Sequence, residues 1–181
     1  DDPRHVGIHG RFRLLEGEGV PTHFVERLND RDMLVKKVKI VPIEVTMRNI
    51  VAGGMSKLLG LDEGIILKEP VLEYHFKEDK LHDPLINEYH VRALGIATDK
   101  ELETIDRYSF KVNDELKKFF DSKGLILVDF KLEFGRYKGR IILADEVSCL
   151  RHVHVAAGDG VAVFIDIEPE RVLRAVGENI R

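Results

Sequence analysis

Residues 127–135 read LVDFKLEFG, and their strict alternation of apolar and charged side chains predicts a β-strand. Because successive side chains of a strand point to opposite faces, Asp129, Lys131 and Glu133 would share one face. The other face would pack into a core through four apolar residues: Val128, Phe130, Leu132 and Phe134. The stretch therefore predicts a sheet with one buried face and one face rich in charge.

A second strand is predicted to follow at once, since the turn RYKGR (136–140) leads into IILADE (141–146). In an even register of this hairpin, Ile141, Leu143 and Asp145 would join the charged face, although sequence alone does not determine the register. Three acids and a lysine could then bind one hard cation such as Mg²⁺, which prefers oxygen ligands. The alternative is an ordinary solvated sheet face.

Composition narrows the class of protein. With 181 residues, 44% of them hydrophobic, the chain can form one domain, or one domain plus a small lobe. A net charge of −4 with well-mixed charges argues against a nucleic-acid or membrane surface. The single cysteine, Cys149, excludes an internal disulfide framework, and no apolar run resembles a signal segment or a membrane span. We expect a cytoplasmic protein without nucleic-acid or membrane partners.

The clearest predicted helix covers residues 99–122. Thr98 and Glu101 form a capping-box signature at its start, and Gly124 follows its end. Apolar residues recur at steps of three and four along it: Ile105, Tyr108, Val112, Leu116 and Phe119. A helix packed on an antiparallel sheet, with a hairpin over 126–134 and 140–145, predicts an α+β fold.

Shorter elements complete the prediction. Residues 1–33 are turn-rich and read as an atypical N-terminal segment, 34–148 as the core, and 149–181 as two strands and a helix of the same domain. Strands are predicted at 22–28, 33–51 and 69–77, and a short helix from Met55 ends at Gly60 or Gly64. Pro42 predicts an edge position or a break in its strand.

Other residues have a functional and a structural interpretation. Arg48 precedes Gly53 and Gly54, a combination that could bind an anion, although Arg48 could instead pair with Glu44 or another acid. His82 and Asp83 precede a proline, which is typical of turns. His152 and His154 have strand spacing and more simply form a solvated face than a metal site.

Two segments resemble, in order, the signature segments of the SAICAR synthetase family: IVPIEVTMRNIVAGG (40–54) and LVDFKLEFG (127–135). Between and after them the resemblance continues through GLDEG, HDPLINE, ALGIAT, KVNDELKKFF and LADEVS, so that it covers about residues 20–148. It implies the central domain of a phosphoribosylaminoimidazole-succinocarboxamide synthase. This enzyme uses ATP and Mg²⁺ to join L-aspartate to carboxyaminoimidazole ribotide in purine biosynthesis.

The resemblance also implies residue roles. Glu133 and Asp145 would hold Mg²⁺, and Lys131 would contact the nucleotide or its phosphate. Lys36 and Lys37 would lie near the base. Residues that match the substrate side, or stand near it, are Arg48, Gly54, His82, Asp83, Asp129 and Arg151. Of these groups, Arg48, Asp129 and Lys131 are the predicted catalytic residues.

The chain departs from the family pattern at three places. Residues 1–20 match no Gly-Lys-Ala-Lys strand, so that the N-terminal lobe over ATP is expected to be largely missing. Gly54 stands where the family has serine, and SCLRHVHV (148–155) replaces the family's Ser-Pro-Asp loop and Arg-Leu-Trp segment, leaving Arg151 as a substitute for the arginine that binds substrate. Two hypotheses follow: a working ligase, completed by the unusual ends or by a second chain in a homo-oligomer, or a truncated, recombined or designed derivative without catalysis.

Overall fold

The computed structural model describes residues 8–29, 32–122, 124–144, 153–157 and 162–165. Its helices are α1 (Ile8–Gly17), α2 (Gly53–Leu59), α3 (Glu88–Ala93) and α4 (Asp99–Asp121). Its strands are β1 (Phe24–Arg27), β2 (Met33–Val35), β3 (Lys39–Ile50), β4 (Ile66–Phe76), β5 (Leu85–Ile86), β6 (Leu125–Tyr137), β7 (Arg140–Ala144), β8 (Val153–Ala157) and β9 (Ala162–Ile165).

The described strands form one antiparallel seven-stranded sheet and a separate β1–β2 ribbon. The order in the large sheet is β5-β4-β3-β6-β8-β9, and β7 also pairs with β6. β8 pairs with the first part of β6 and β7 with its last part, so both use the long strand without competing. The α+β prediction is confirmed.

Three of the four apolar residues predicted for one face of β6 lie in the main core, whereas Val128 packs in a separate small cluster with Ile50 and Ala52. Phe130, Leu132 and Phe134 are completely buried, and Phe134 lies opposite Leu143 of β7. This face carries the main core, to which α1 also contributes Phe12 and Leu15. One side of the sheet is therefore a continuous apolar layer.

Helix α4 covers that layer and begins with the predicted capping box. Thr98 Oγ1 accepts the Glu101 amide, and Glu101 Oε2 accepts the Thr98 amide at 2.9 Å. Of the predicted stripe, Tyr108 and Phe119 are only partly buried and pack at the edge of the core. Seven residues of α4 are buried: Leu102, Ile105, Ser109, Val112, Asn113, Leu116 and Phe120. Reciprocal hydrogen bonds between the side chains of Asn113 and Asn49 join α4 to β3.

The predicted β6–β7 hairpin forms, and its register, which the sequence left open, is not the even one that a shared charged face would require. Tyr137 lies opposite Arg140 and Glu133 opposite Ala144, which places Ile141 and Leu143 on the apolar face. The reason is the two-residue loop, Lys138 and Gly139, whose φ angles of 48° and 75° suit the tight turns of twisted hairpins. With this loop, even-numbered residues of β6 lie opposite odd-numbered residues of β7, as Phe134 lies opposite Leu143. Asp145 lies outside the described residues.

Pro42 lies in an interior strand, because β3 pairs with β4 on one side and β6 on the other. The predicted edge position was therefore wrong, whereas the predicted break is observed: the β3–β6 register shifts between Ile40 and Glu44. A proline lacks the amide hydrogen that a regular ladder needs, so the irregularity accommodates it.

The other predicted elements are found with altered bounds. The segment 22–28 contains β1, 33–51 contains β2 and β3, and 69–77 overlaps β4. α2 ends at Leu59, and Gly60 follows in the left-handed conformation with φ of 64°. The strands expected in 149–181 are β8 and β9, while the terminal helix lies outside the described residues. In the described part of the chain, no helix is long and apolar enough to cross a membrane.

The ion pair between Glu101 and Arg136 gives a testable pH dependence. Arg136 Nε donates to Glu101 Oε1 at 2.6 Å, and chiefly this bond lowers the pKa of Glu101 from 4.5 to about 2. A lowered pKa in the folded state stabilises the fold above the unfolded value, and this stabilisation disappears as the pH falls from 4.5 towards 2.

Glu101→Gln keeps the cap but removes the charge, so we expect it to cost about 1 to 2 kcal/mol at neutral pH, reduced by partial solvent exposure. Urea unfolding should show the deficit vanishing near pH 2. Glu103→Gln, an exposed position of the same helix, is the matched control. A deficit that stays constant with pH would show that the charge of Glu101 contributes nothing.

Candidate functional site

The face of the sheet opposite α4 carries three cross-strand rows of polar side chains. Each row takes one residue from β4, one from β3 and one from β6, and every member except Val71 is polar. The first row is Val71, Arg48 and Asp129, the second is Glu73, Thr46 and Lys131, and the third is His75, Glu44 and Glu133. The first and third rows are four residues apart along each strand, or about 13 Å. We call this arrangement the polar face.

Arg48 is the centre of the first row and is 7% exposed. Its Nε donates to Glu73 Oε2 at 2.7 Å, and its Nη1 donates to Asp129 Oδ2 at 2.5 Å and to the carbonyl of Ala52 at 3.3 Å. A Cβ at Gly54 would lie 3.5 Å from Nη2, the other terminal nitrogen. Arg48 therefore pairs with Glu73 and Asp129 rather than with Glu44, and its Nη2 is directed towards the glycine pair.

Each of the two glutamates of the third row pairs with a lysine from outside that row. Lys77 Nζ donates to both carboxylate oxygens of Glu133 at 2.6 Å, and Glu133 is only 3% exposed. Lys131 Nζ lies 2.6 Å from Glu44 Oε1. The predicted residues Lys131 and Glu133 thus lie side by side, each with a partner that was not predicted.

Four residues on or beside the polar face were not predicted from the sequence as part of the site. They are Glu44, as the partner of Lys131, together with Glu73, His75 and Lys77. The alternation in 69–77 placed Glu73 and His75 on one face of a strand. Nothing in the sequence showed that β4 is separated from β6 by only one strand.

His82 and Asp83 lie in the turn after β4, and both have left-handed backbones, with φ of 57° and 46°. The Asp83 carboxylate accepts the Glu78 amide at 2.9 Å, and the Asp83 carbonyl lies 3.1 Å from His75 Nδ1. Positive φ at two successive residues other than glycine is uncommon and is found near functional sites. The structure brings this turn to the polar face through His75.

Gly53 and Gly54 begin α2. Gly53 has φ of 53°, and its amide donates to Glu63 Oε1 at 2.8 Å, so a protein carboxylate uses one of the amides expected to bind an anion. Gly54 adjoins Arg48, as the sequence suggested.

Lys36 and Lys37 precede β3, whose first residues pair with Gly135 and Arg136 beyond the third row. Lys36 Nζ donates to the carbonyl of Thr22 at 2.8 Å, and Lys37 is exposed. The two lysines therefore lie towards the Glu133 end of the polar face rather than the Arg48 end.

Electrostatics keep the Glu73 carboxylate charged beside Arg48. Burial raises the pKa of Glu73, but the contacts with His75 and Arg48 lower it by more, so that the net pKa is below its ordinary value. The guanidinium accordingly lies between two buried carboxylates, Glu73 and Asp129.

Only two of the three acids of the predicted cation site, Asp129 and Glu133, belong to the described part of the chain. Asp129 and Glu133 share a face, as predicted, but they belong to separate rows and bind Arg48 and Lys77 respectively. Among the described residues no three His, Cys, Asp or Glu side chains are grouped to hold a metal ion. Asp145, Arg151 and His152 lie outside the described residues, and His154 of β8 is opposite Asp129.

Comparison with known proteins assigns the family. A family model described as SAICAR synthetase matches residues 9–150. The chain belongs to the SAICAR synthetase family. The resemblance stated for residues 20–148 is confirmed, and the match extends further towards the N-terminus.

Relatives and solved structures agree with this SAICAR synthetase assignment. The phosphoribosylaminoimidazole-succinocarboxamide synthase of Caldanaerobacter subterraneus subsp. tengcongensis is 58% identical over 137 residues, which are 76% of this chain and 58% of that protein. The chain thus spans little more than half the length of this curated relative.

Two solved SAICAR synthetases have the same fold. One, described as a SAICAR synthetase (Type-2) in complex with ADP, has a TM-score of 0.80 and 40% identity, with 93% of this chain and 73% of that chain covered. Another, from Pyrococcus horikoshii OT3, has a TM-score of 0.80 and 39% identity over 93% of this chain and 75% of that chain.

Proposed function

We propose that the polar face is the ligase site of a phosphoribosylaminoimidazole-succinocarboxamide synthase, which joins L-aspartate to carboxyaminoimidazole ribotide at the expense of ATP. The observation that carries the proposal is the placement of Arg48, Asp129, Lys131 and Glu133 on one face of two adjacent strands within the family match. The names of the relatives support it. This activity would belong to purine biosynthesis in the cytoplasm.

The two ends of the polar face would bind different substrates. At one end Arg48, Gly54 and Asp129 would bind the anionic ribotide, because a guanidinium recognises phosphate and carboxylate groups through paired hydrogen bonds. The turn at His82 and Asp83 would border this pocket or that of L-aspartate. Arg151 would add a second substrate arginine.

The other end would bind the nucleotide. Glu133 belongs to the third row and Lys131 to the second row beside it. Lys36 and Lys37 precede β3, which begins at this end. A solved relative is described as a complex with ADP, which supports a nucleotide site in this fold. The separation of about 13 Å between the end rows leaves room for a triphosphate chain to reach towards the ribotide.

Mg²⁺ would be held by Glu133 and Asp145, together with phosphate oxygens and water. Carboxylate oxygens suit this ion, and the Lys77 that now binds Glu133 is 38% exposed, so its ammonium group can move into water. The bound ion would offset the negative charge of the phosphates.

The reaction would have two steps. The ribotide carboxylate oxygen attacks the γ-phosphorus of ATP and displaces ADP, forming an acyl phosphate. The L-aspartate amine then attacks the carbonyl carbon, phosphate leaves, and the nitrogen loses a proton. Lys131 would contact the transferred phosphoryl group, Asp129 would lie on the substrate side, and Arg48 would hold the ribotide, so that most of the catalysis is alignment and charge stabilisation.

The alternative is a derivative that keeps the fold and ligand binding without catalysis. Incubation of the chain with ATP, Mg²⁺, ribotide and L-aspartate distinguishes the two. Formation of succinocarboxamide that needs all four components supports the ligase. Ribotide or nucleotide binding without product supports the alternative, and the absence of both contradicts each hypothesis.

A homo-oligomer is a further proposal, supported by exposed aliphatic side chains around α2: Leu58, Leu59, Leu61, Ile65 and Ile66. Analytical ultracentrifugation tests it. Substitution of Leu58 and Ile66 by serine should dissociate an assembly that uses this surface.

The Arg48 assignment is tested by Arg48→Lys, which keeps the charge but loses the planar fork. We expect ribotide affinity to fall by about 1 to 3 kcal/mol while ATP affinity changes little, because a charged hydrogen bond is lost only at the ribotide end. Isothermal titration calorimetry measures both affinities. Arg136→Lys, an arginine on the α4 side, is the control and should leave ribotide affinity unchanged. Unchanged ribotide affinity in the Arg48 variant would make Arg48 purely structural.

A further inference from the structure

His75 contacts both the turn at His82 and Asp83 and the Glu73 carboxylate that binds Arg48. Its Nδ1 lies 3.1 Å from the carbonyl oxygen of Asp83, and its Nε2 lies 3.6 Å from Glu73 Oε2. That same Glu73 oxygen accepts the Nε hydrogen of Arg48 at 2.7 Å. The imidazole is therefore in contact with the left-handed turn on one side and with the partner of Arg48 on the other.

The contacts determine where the ring carries hydrogen. A carbonyl oxygen can only accept, so the hydrogen bond to Asp83 requires a hydrogen on Nδ1. Nε2 is buried, faces the Glu73 carboxylate at 3.6 Å and has no hydrogen-bond partner among the described residues.

The turn itself needs support. Left-handed backbones at His82 and Asp83 cost about 1 to 3 kcal/mol each and persist only where surrounding contacts hold them. Its contacts include backbone hydrogen bonds from the His82 and Asp83 amides to the Asp79 and Glu78 carbonyls, the Glu78 amide on the Asp83 carboxylate, and the His75 ring on the Asp83 carbonyl. Of these contacts, that of the His75 ring also reaches Arg48, through Glu73.

We propose that His75 is a positioning residue that couples the turn at His82 and Asp83 to the Arg48 guanidinium through the Glu73 carboxylate. Loss of the imidazole releases the turn and at the same time changes the hydrogen bonding of Arg48. The substrate consequence rests on the proposed function, in which Arg48 and this turn border the ribotide. The coupling itself does not, because it is a property of the chain without ligand.

NMR on the ligand-free chain tests the coupling. In His75→Phe we expect the Glu78 amide to exchange with solvent severalfold faster and the Arg48 Nε–H resonance to move. His75→Gln, which retains a donor for the Asp83 carbonyl, should restore protection at Glu78. His90→Gln is the control, because His90 lies in the exposed cap of α3 and glutamine suits its capping position. An Arg48 resonance that is unchanged in His75→Phe overturns the proposal.

Calorimetry with the ribotide then separates the two claims. Ribotide affinity should fall severalfold in His75→Phe and recover in part in His75→Gln, because glutamine retains a donor for the Asp83 carbonyl. Equal ribotide affinity in wild type and His75→Phe overturns the substrate consequence. If the wild type binds no ribotide while the NMR coupling is found, the proposed function fails and the coupling stands.

Discussion

Replacement of Arg48 by methionine is expected to lower the free energy of unfolding by about 3 to 5 kcal/mol, because it removes a guanidinium that two largely buried carboxylates contact. Glu73 and Asp129 each bind the guanidinium, at 2.7 and 2.5 Å, and their side chains are only 11% and 7% exposed. Methionine fills much of the volume of the arginine stem, so most of the loss comes from these two charge interactions rather than from a cavity. Urea unfolding at neutral pH measures the loss.

Two further measurements identify the cause. Addition of Glu73→Gln and Asp129→Asn to Arg48→Met should recover a large part of the stability, since the buried charges are then absent. The deficit of the single variant should also shrink as the pH is lowered, because protonation neutralises the same carboxylates. A deficit that neither treatment reduces would indicate that Arg48 stabilises the fold by packing alone.

Replacement of Phe134 by alanine is expected to cost about 3 to 5 kcal/mol, the usual loss when a large aromatic side chain is removed from a packed core. Phe134 is completely buried in the layer between the sheet and α4, opposite Leu143 of β7. The thermal midpoint should fall by roughly 2 to 4 °C for each kcal/mol in a domain of this size. Differential scanning calorimetry records this fall.

Phe110 of α4 is the matched control, because the same residue type is 41% exposed there. Phe110→Ala should cost about 1 kcal/mol or less, as is usual for substitutions at the surface. Equal losses at the two positions would contradict the assignment of the β6 apolar face to the core.

Part of the polar face could be predicted from the sequence, namely the residues that share one strand. Alternation along one strand placed Asp129, Lys131 and Glu133 together, because the two-residue period of a strand is a local property. The partners of these residues were not predictable in the same way. Arg48 binds Asp129 across 81 residues of sequence, and Lys77 binds Glu133 across 56. Such pairs depend on which strands become neighbours.

The hairpin of β6 and β7 likewise has strands that the sequence predicts and a pairing that it does not determine. Both strands and their turn were correctly predicted, whereas the register was left open, and the even register considered for a cation site is not the one observed. Lys138 and Gly139 form a two-residue loop that places Tyr137 opposite Arg140, and this puts Leu143 in the core instead of on the polar face. A shift of one residue exchanges the two faces of a strand, so a small uncertainty in the turn had a large effect on the expected site.

The sequence by itself determined the α+β class, the capped helix α4, the two faces of β6 and membership of the SAICAR synthetase family. These features depend on periodicity, on capping contacts three residues apart and on long motifs, all of which can be read along the chain. Only the tertiary structure decided the order of the strands, and with it the positions of Glu73, His75 and Lys77 beside the predicted residues. The physical reason is that an ion pair between strands requires both a shared face and a particular register, and the free energy that selects the register comes from the packing of the whole sheet on α4.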